Sequence, residues 1–148
     1  GLTEISYGVR GLELLRKGLK PEECLNKLLA ADPGREMRQV FVLGMSGGAA
    51  HSGRRCSAVS GHVIGENFIC GGNLLRSSQV IVRMAQAFRR GGSLPNRLLA
   101  ALKAGAEAGG DRRGERSAAI LIAGERFTKV QVDDSEDPIS ELERKLGV

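Results

Sequence analysis

The apolar residues of this chain change period more than once, and that alternation limits it to a layered mixture of helices and sheets. Val9, Leu12, Leu15 and Leu19 recur at helical spacing, with charged Glu13, Arg16 and Lys17 between them. Gly18 is placed to end this helix and Pro21 to open the next. Glu22 and Glu23 follow, where the helix dipole favours acids. Cys24, Leu25, Leu28 and Leu29 form the second apolar face, and Asp32-Pro33-Gly34 stops it. Gln39 to Met45 (QVFVLGM) is then a short apolar, β-branched run that predicts a strand. Ser46-Gly47-Gly48 reads as a turn, and Ala49 to Cys56 as a returning strand that ends near Gly53-Arg54. Gly61 to Ile64 and Asn67 to Cys70 predict a second hairpin about Gly65-Glu66, closed by Gly71-Gly72-Asn73.

The second half repeats the alternation. Val80, Ile81, Met84, Ala85 and Phe88 mark one face of a helix over about Ser77 to Arg90, with Ser77 or Ser78 as cap. Gly91-Gly92 ends it. Ser93 and Pro95 start another, with Leu98, Leu99, Leu102 and Ala106 on its face, and Gly109-Gly110 ends that. Ser117 to Ala123 (SAAILIA) is near-continuously apolar and reads as a central strand buried on both faces. Gly124-Glu125 turns the chain. Phe127 to Val132 alternates Phe127, Lys129, Gln131 with Thr128, Val130, Val132, which suits a strand with one wet face. Asp137-Pro138 opens a final helix with Ile139, Leu142 and Leu146 inward. Strand runs joined by tight turns imply antiparallel sheets whose faces the helix pairs must cover. An α+β chain built as an α-β-β-α layered sandwich satisfies both conditions. A plain one-sheet α+β domain is the alternative. With no fixed-period repeat and no linker, residues 1–148 read as one domain.

Composition narrows the function classes. The 148 residues can bury a real core, built from Leu, Ile, Val and Ala because there is no Trp and only one Tyr. No apolar run is long enough to cross a bilayer, and Gly1 to Arg10 lacks the layout of a signal peptide, so no membrane partner is expected. Cys24, Cys56 and Cys70 have no framework spacing, which predicts reduced thiols in a cytoplasmic protein. The net charge of +5 comes from scattered pairs such as Arg54-Arg55, Arg89-Arg90 and Arg112-Arg113. Without clustered cations or aromatic stacking platforms, no nucleic-acid partner is expected.

Three stretches can carry chemistry. Gly109-Gly110-Asp111-Arg112-Arg113-Gly114 runs into the apolar strand. Two guanidinium groups on a glycine loop can bind a carboxylate or phosphate, with Asp111 orienting one of them. The same residues can equally pin a helix-to-strand turn as an Asp–Arg pair. Cys70-Gly71-Gly72-Asn73 can turn backbone amides toward a ligand, with Asn73 as a donor to an oxyanion. Its structural alternative is a tight turn in which Asn73 bonds its own backbone. His51, Cys56, His62 and Cys70 are metal-type ligands without the paired spacing of structural zinc, so no metal and no cofactor are expected. His62 can be a site base or a satisfied strand histidine. Gly44 to Gly53 (GMSGGAAHSG) lacks the ending of a phosphate loop. No G-x-S-x-G elbow is present, and no Ser-His-Asp set assembles from spacing.

Several segments together resemble a known family. They are Ser6-Tyr7-Gly8 leading to Arg10-Gly11-Leu12-Glu13-Leu14-Leu15, Leu28-Leu29-Ala30-Ala31-Asp32-Pro33-Gly34-Arg35-Glu36 with Arg38-Gln39-Val40, Cys56, Gly61-His62, Gly72-Asn73-Leu74-Leu75, and Gly109 to Gly114 with Ser117-Ala118-Ala119. In that order they resemble the bacterial and archaeal family called domain of unknown function 1028, grouped with the Ntn hydrolases. The resemblance reaches to about Leu142. It implies the four-layer α-β-β-α sandwich and amide-bond hydrolysis. In Ntn hydrolases a terminal Thr, Ser or Cys attacks the carbonyl while its own amine takes the proton. It also implies strands ahead of the segment matching Leu2 to Gly8, so the fold is expected to be N-terminally incomplete here. Gly1 has no nucleophilic side chain, and Thr3 has its amine in a peptide bond. The expectation is a pocket using Asn73, Asp111, Arg112 and Arg113 to bind a small amide or carboxylate, without a competent nucleophile. The rival expectation is a non-enzymatic ligand-binding module or a homo-oligomer joined across open sheet edges.

Overall fold

The computed structural model describes residues 1–57, 59–125 and 127–147. Among these, the chain is a mixed α/β protein of five α-helices and three two-stranded antiparallel sheets. It forms two compact units, Gly1–Leu74 and Leu75–Val148, and each is described by itself.

The first unit opens with α1 (Ser6–Arg16) and α2 (Pro21–Ala30). Gly18 ends α1 with φ 88°, a left-handed conformation that favours glycine. Hairpin β1 (Gln39–Gly44) and β2 (Gly47–Ser52) follows, then hairpin β3 (Gly61–Gly65) and β4 (Phe68–Gly72). Gly44 pairs with Gly47 and Gly65 with Phe68, so the turn residues are Met45-Ser46 and Glu66-Asn67. The expected turns are therefore displaced by about one residue, and β2 stops at Ser52 rather than Cys56. Val40 and Val42 face the helices, in a core of Tyr7, Cys24, Leu25, Leu28, Val42 and Ala49. Gln39, Phe41 and Leu43 alternate to the other face, against the β3–β4 hairpin. Glycines let the hairpins approach: a Cβ on Gly71 would meet the Phe41 ring, and one on Gly48 would lie 3.0 Å from Ile69 Cδ1. The unit is thus layered helix pair, hairpin, hairpin.

One helical face differs from the sequence expectation. Tyr7 and Gly11 are the buried residues of α1, with Leu14 and Leu15 packed against the core, whereas Val9 and Leu12 point outward. Two contacts set this rotation. The Tyr7 hydroxyl reaches inward to Asp32, and Gly11 brings its backbone against α2, where Cys24 Sγ donates to Gly11 O at 3.5 Å.

The second unit packs α3 (Gln79–Phe88) with α4 (Leu94–Glu107), and α5 (Pro138–Leu146) with hairpin β5 (Ala118–Ile122) and β6 (Thr128–Val132). Val80, Ile81, Ala85 and Phe88 are buried on α3 as the periodicity predicts, and Ile139, Leu142 and Leu146 of α5 face the core. Ser78 and Ser93 occupy the cap positions without a side-chain bond, whereas Asp137 Oδ1 accepts from Ser140 N at 3.2 Å. Strand β5 departs from the expected two-sided burial. Ile120 is buried but Leu121 is 56% exposed, because the strand belongs to a two-stranded sheet with a single covered face.

Candidate functional site

At the end of the hairpins remote from their turns, four polar side chains of the first unit meet. Gln39 opens β1, Ser52 closes β2, His62 stands near the start of β3, and Asn73 follows β4. Gln39 Nε2 faces Gly61 O at 2.9 Å, Gly72 O at 3.0 Å and Ser52 Oγ at 3.0 Å. Backbone carbonyls can only accept, so they fix which end of the amide is nitrogen. Gln39 Oε1 is thereby turned to Asn73, whose Nδ2 donates to it at 3.2 Å. One amide ties both hairpins together and aims the next. The Asn73 backbone leads directly into Leu74, which has φ 58°. A bulky residue rarely adopts that region, and such strain persists where surrounding contacts hold the chain in place.

Ser52 Oγ lies 3.0 Å from His62 Nδ1. In the tautomer that carries its proton on Nε2, the imidazole accepts the serine proton at Nδ1. The Phe41 ring meets the imidazole edge to face, with centroids 6.2 Å apart. Burial lowers the His62 pKa, with the nearby His51 adding to the effect, so the ring is held neutral.

Gln39, Phe41 and Asn73 also line a cavity of about 320 Å³, together with Thr3, Glu4, Tyr7 and Arg38. Its far wall is built on Asp32. Asp32 Oδ2 accepts from Tyr7 Oη and from Arg38 Nε, each at 2.8 Å, and Oδ1 accepts from Gly34 N at 2.6 Å. Arg38 Nη1 reaches Leu2 O at 3.3 Å and Nη2 lies 3.8 Å from Glu4. The Arg38 hydrogen bond, then that of Tyr7, holds the Asp32 carboxyl down at about 2. Burial and the same carboxylate push the Tyr7 phenol up to about 12. Arg38 faces two carboxylates, Asp32 and Glu4, so its charge is more than balanced and this wall offers hydrogen bonds without a free cation.

Of the four residues predicted to bind ligand, Asn73 stands in this cavity wall. Asp111, Arg112 and Arg113 form a turn of the second unit. Asp111 Oδ1 accepts from Arg113 N at 2.8 Å and Nε at 3.0 Å, and Oδ2 accepts from Arg113 Nη2 at 2.7 Å. The Arg113 bonds hold the Asp111 carboxyl at about 2. Asp111 N donates to Glu115 Oε1 at 2.8 Å, and the Asp111 backbone bridges to Leu75. This geometry carries the turn-pinning reading of the Asp–Arg pair and leaves Arg112 exposed beside it. Among the described residues, no group of three or more His, Cys, Asp or Glu side chains is arranged to hold a metal ion. His51 Nε2 contacts Arg35 O at 2.9 Å, and Cys56 Sγ donates to Arg38 O at 3.3 Å.

A family model described as "family of unknown function (DUF1028)" matches residues 1–142. The chain belongs to the DUF1028 family. A solved relative agrees: the crystal structure of protein SPO2555 from Silicibacter pomeroyi, described as DUF1028, is 31% identical with a TM-score of 0.86. That match covers 95% of this chain and 65% of the relative's, so the chain spans less than two thirds of that protein's length. No curated protein matches.

In this DUF1028 chain the sequence pattern singles out Asn73 and leaves His62 open between a site base and a satisfied strand histidine, and it gives no place to Gln39, Ser52, Arg38 or Asp32. A signal for Gln39 was present. It shares strand parity with Phe41 and Leu43, and an amide on an otherwise apolar face needs buried partners. Ser52 carried no such mark, because its partner lies ten residues away on another hairpin.

Proposed function

We propose that these residues form one wall of a pocket that binds small neutral amides, in a protein of the amide-hydrolase type that the Ntn resemblance implies. The observation that carries the reading is the Gln39–Asn73 pair beside the cavity. Gln39 takes one Asn73 N–H, which leaves the second N–H and Oδ1 as a donor and an acceptor side by side. An amide bond presents the complementary acceptor and donor. Pairing of Arg38 with both Asp32 and Glu4 leaves it unavailable to an anion, which favours an amide over a carboxylate at this wall. The proposal assigns these residues binding, not attack, and the reaction of the whole protein goes with the longer architecture of its relative. Calorimetric titration with N-acetylglycinamide tests it. Asn73→Ala should weaken binding about tenfold, the loss of one or two buried hydrogen bonds. Equal affinity in the variant would contradict the reading.

A second reading, assembly with another copy of this chain, is favoured by one exposed stripe. Leu2, Ile5, Val9 and Leu12 recur at three- and four-residue spacing and are 60%, 84%, 63% and 56% exposed. Beside them β1, a strand without charge or proline, pairs on one edge only among the described residues. Monomers usually blunt such an edge.

A further inference from the structure

We propose that Ser52 and His62 act as a nucleophile–base pair able to accept an acyl group within the first unit. The proposal takes only the acyl class of ligand from the pocket reading, and its chemistry has its own readout.

Three features carry it. The hydroxyl and the imidazole are already at hydrogen-bond distance, 3.0 Å, the geometry expected of an activated serine. The direction the chemistry needs is available. In the tautomer with its proton on Nε2, His62 Nδ1 accepts from Ser52 Oγ, and Gln39 Nε2 stands 3.0 Å from the same oxygen. Both side chains are half-buried, neither sealed in the core nor free in solvent, and Gln39 links them to the cavity wall.

The step balances without any further reagent than water. Ser52 Oγ bonds to the acyl carbon as its proton passes to His62 Nδ1. The tetrahedral intermediate collapses, the bond to the leaving group breaks, and that group takes the proton from Nδ1. Water then attacks the acyl-serine, gives a proton to His62, and Ser52 Oγ leaves and recovers it. Among the described residues no carboxylate is recorded as a hydrogen-bond partner of the His62 ring, so the pair suits activated esters better than peptides.

The test uses the full chain with p-nitrophenyl acetate. Phenolate release and peptide mapping by mass spectrometry are followed together. The expected result is acetyl on Ser52, none there in Ser52→Ala, and release slowed by roughly 10²–10⁴-fold in His62→Gln. The rate should fall as acid protonates His62, with the midpoint below the ordinary histidine value because burial lowers it. A purely structural hydrogen bond would show no such titration. Acetyl found only on lysines or the terminal amine would overturn the proposal, and so would acetylation of Ser52 unchanged by His62→Gln. If Ser52→Ala fails to fold, the acetylation site in the unaltered chain decides alone. Loss of N-acetylglycinamide binding in Asn73→Ala with no acetyl on Ser52 would leave the pocket reading standing and remove this one.

Discussion

Asp32 illustrates how much one side chain can hold together. It follows α2, fixes Tyr7 inside the helix pair, and anchors Arg38, whose Nη1 reaches back to the carbonyls of Leu2 and Thr3. Its pH dependence follows from the direction of the shift. The folded pKa is depressed to about 2, below the ordinary carboxylate value, so the stabilisation is complete above about pH 4 and lost as pH falls toward 2. Tyr7 works in the opposite sense. Its folded pKa is raised to about 12, so its contribution is complete below about pH 10 and lost as pH rises through 12. Thermal melts across pH should show both edges. Asp32→Asn should shrink the acid edge, leaving the share that belongs to Asp111, which is also held at about 2, and an unchanged acid limb would contradict this account. Little of it was legible beforehand. Asp32-Pro33-Gly34 reads as a helix stop, and nothing in the spacing shows that Tyr7, 25 residues earlier, supplies the partner hydroxyl.

At the scale of elements, periodicity was a good guide to which helices and strands exist and a weaker one to their rotation. The α3 and α5 faces were read correctly because aliphatic and aromatic side chains at helical spacing are what they bury. For α1 the same rule chose Val9 and Leu12, which face outward, because a Tyr–Asp hydrogen bond and a close glycine contact outweigh two aliphatic side chains. Gly11 gives a direct check. A Cβ there would meet Leu28 Cδ1 at 3.5 Å and Cys24 Sγ at 3.9 Å, ordinary contact distances in the middle of a helix. Gly11→Ala should therefore stabilise the chain by about 0.5–1 kcal/mol, from the lower entropy of the unfolded backbone. Denaturant unfolding that shows a loss of that size would mean α1 and α2 pack more tightly than described. The apolar run SAAILIA was misread for a related reason. A continuous apolar segment signals burial only where both faces are covered, and Leu121 is left outside.

For the whole molecule, the family is shown and the activity is proposed. The match to the SPO2555 structure fixes the fold of nearly all of this chain, and that relative is longer. The exposed stripe from Leu2 to Leu12 belongs to this scale, since it must meet something or stay wet. If a second copy covers it, light scattering should give a dimer, and Val9→Glu with Leu12→Glu should return a monomer. A monomer at high concentration of the unaltered chain would remove assembly from consideration. The candidate site was half legible. Glycine-flanked Asn73 stood out in sequence, whereas the hydrogen bonds that make it part of a site come from Gln39 and, through it, from three other strands.

The central claim is that the Gln39–Asn73 wall receives an amide. Side-chain amide resonances report on it directly, because Gln39 and Asn73 can be compared with Gln79 and Gln86 on the α3 surface in one spectrum. Titration of N-acetylglycinamide into ¹⁵N-labelled chain should shift the Gln39 and Asn73 amide signals together and leave those of Gln79 and Gln86 in place. Shifts confined to Gln79 and Gln86, or none at Gln39 and Asn73 at saturating amide, would contradict the account.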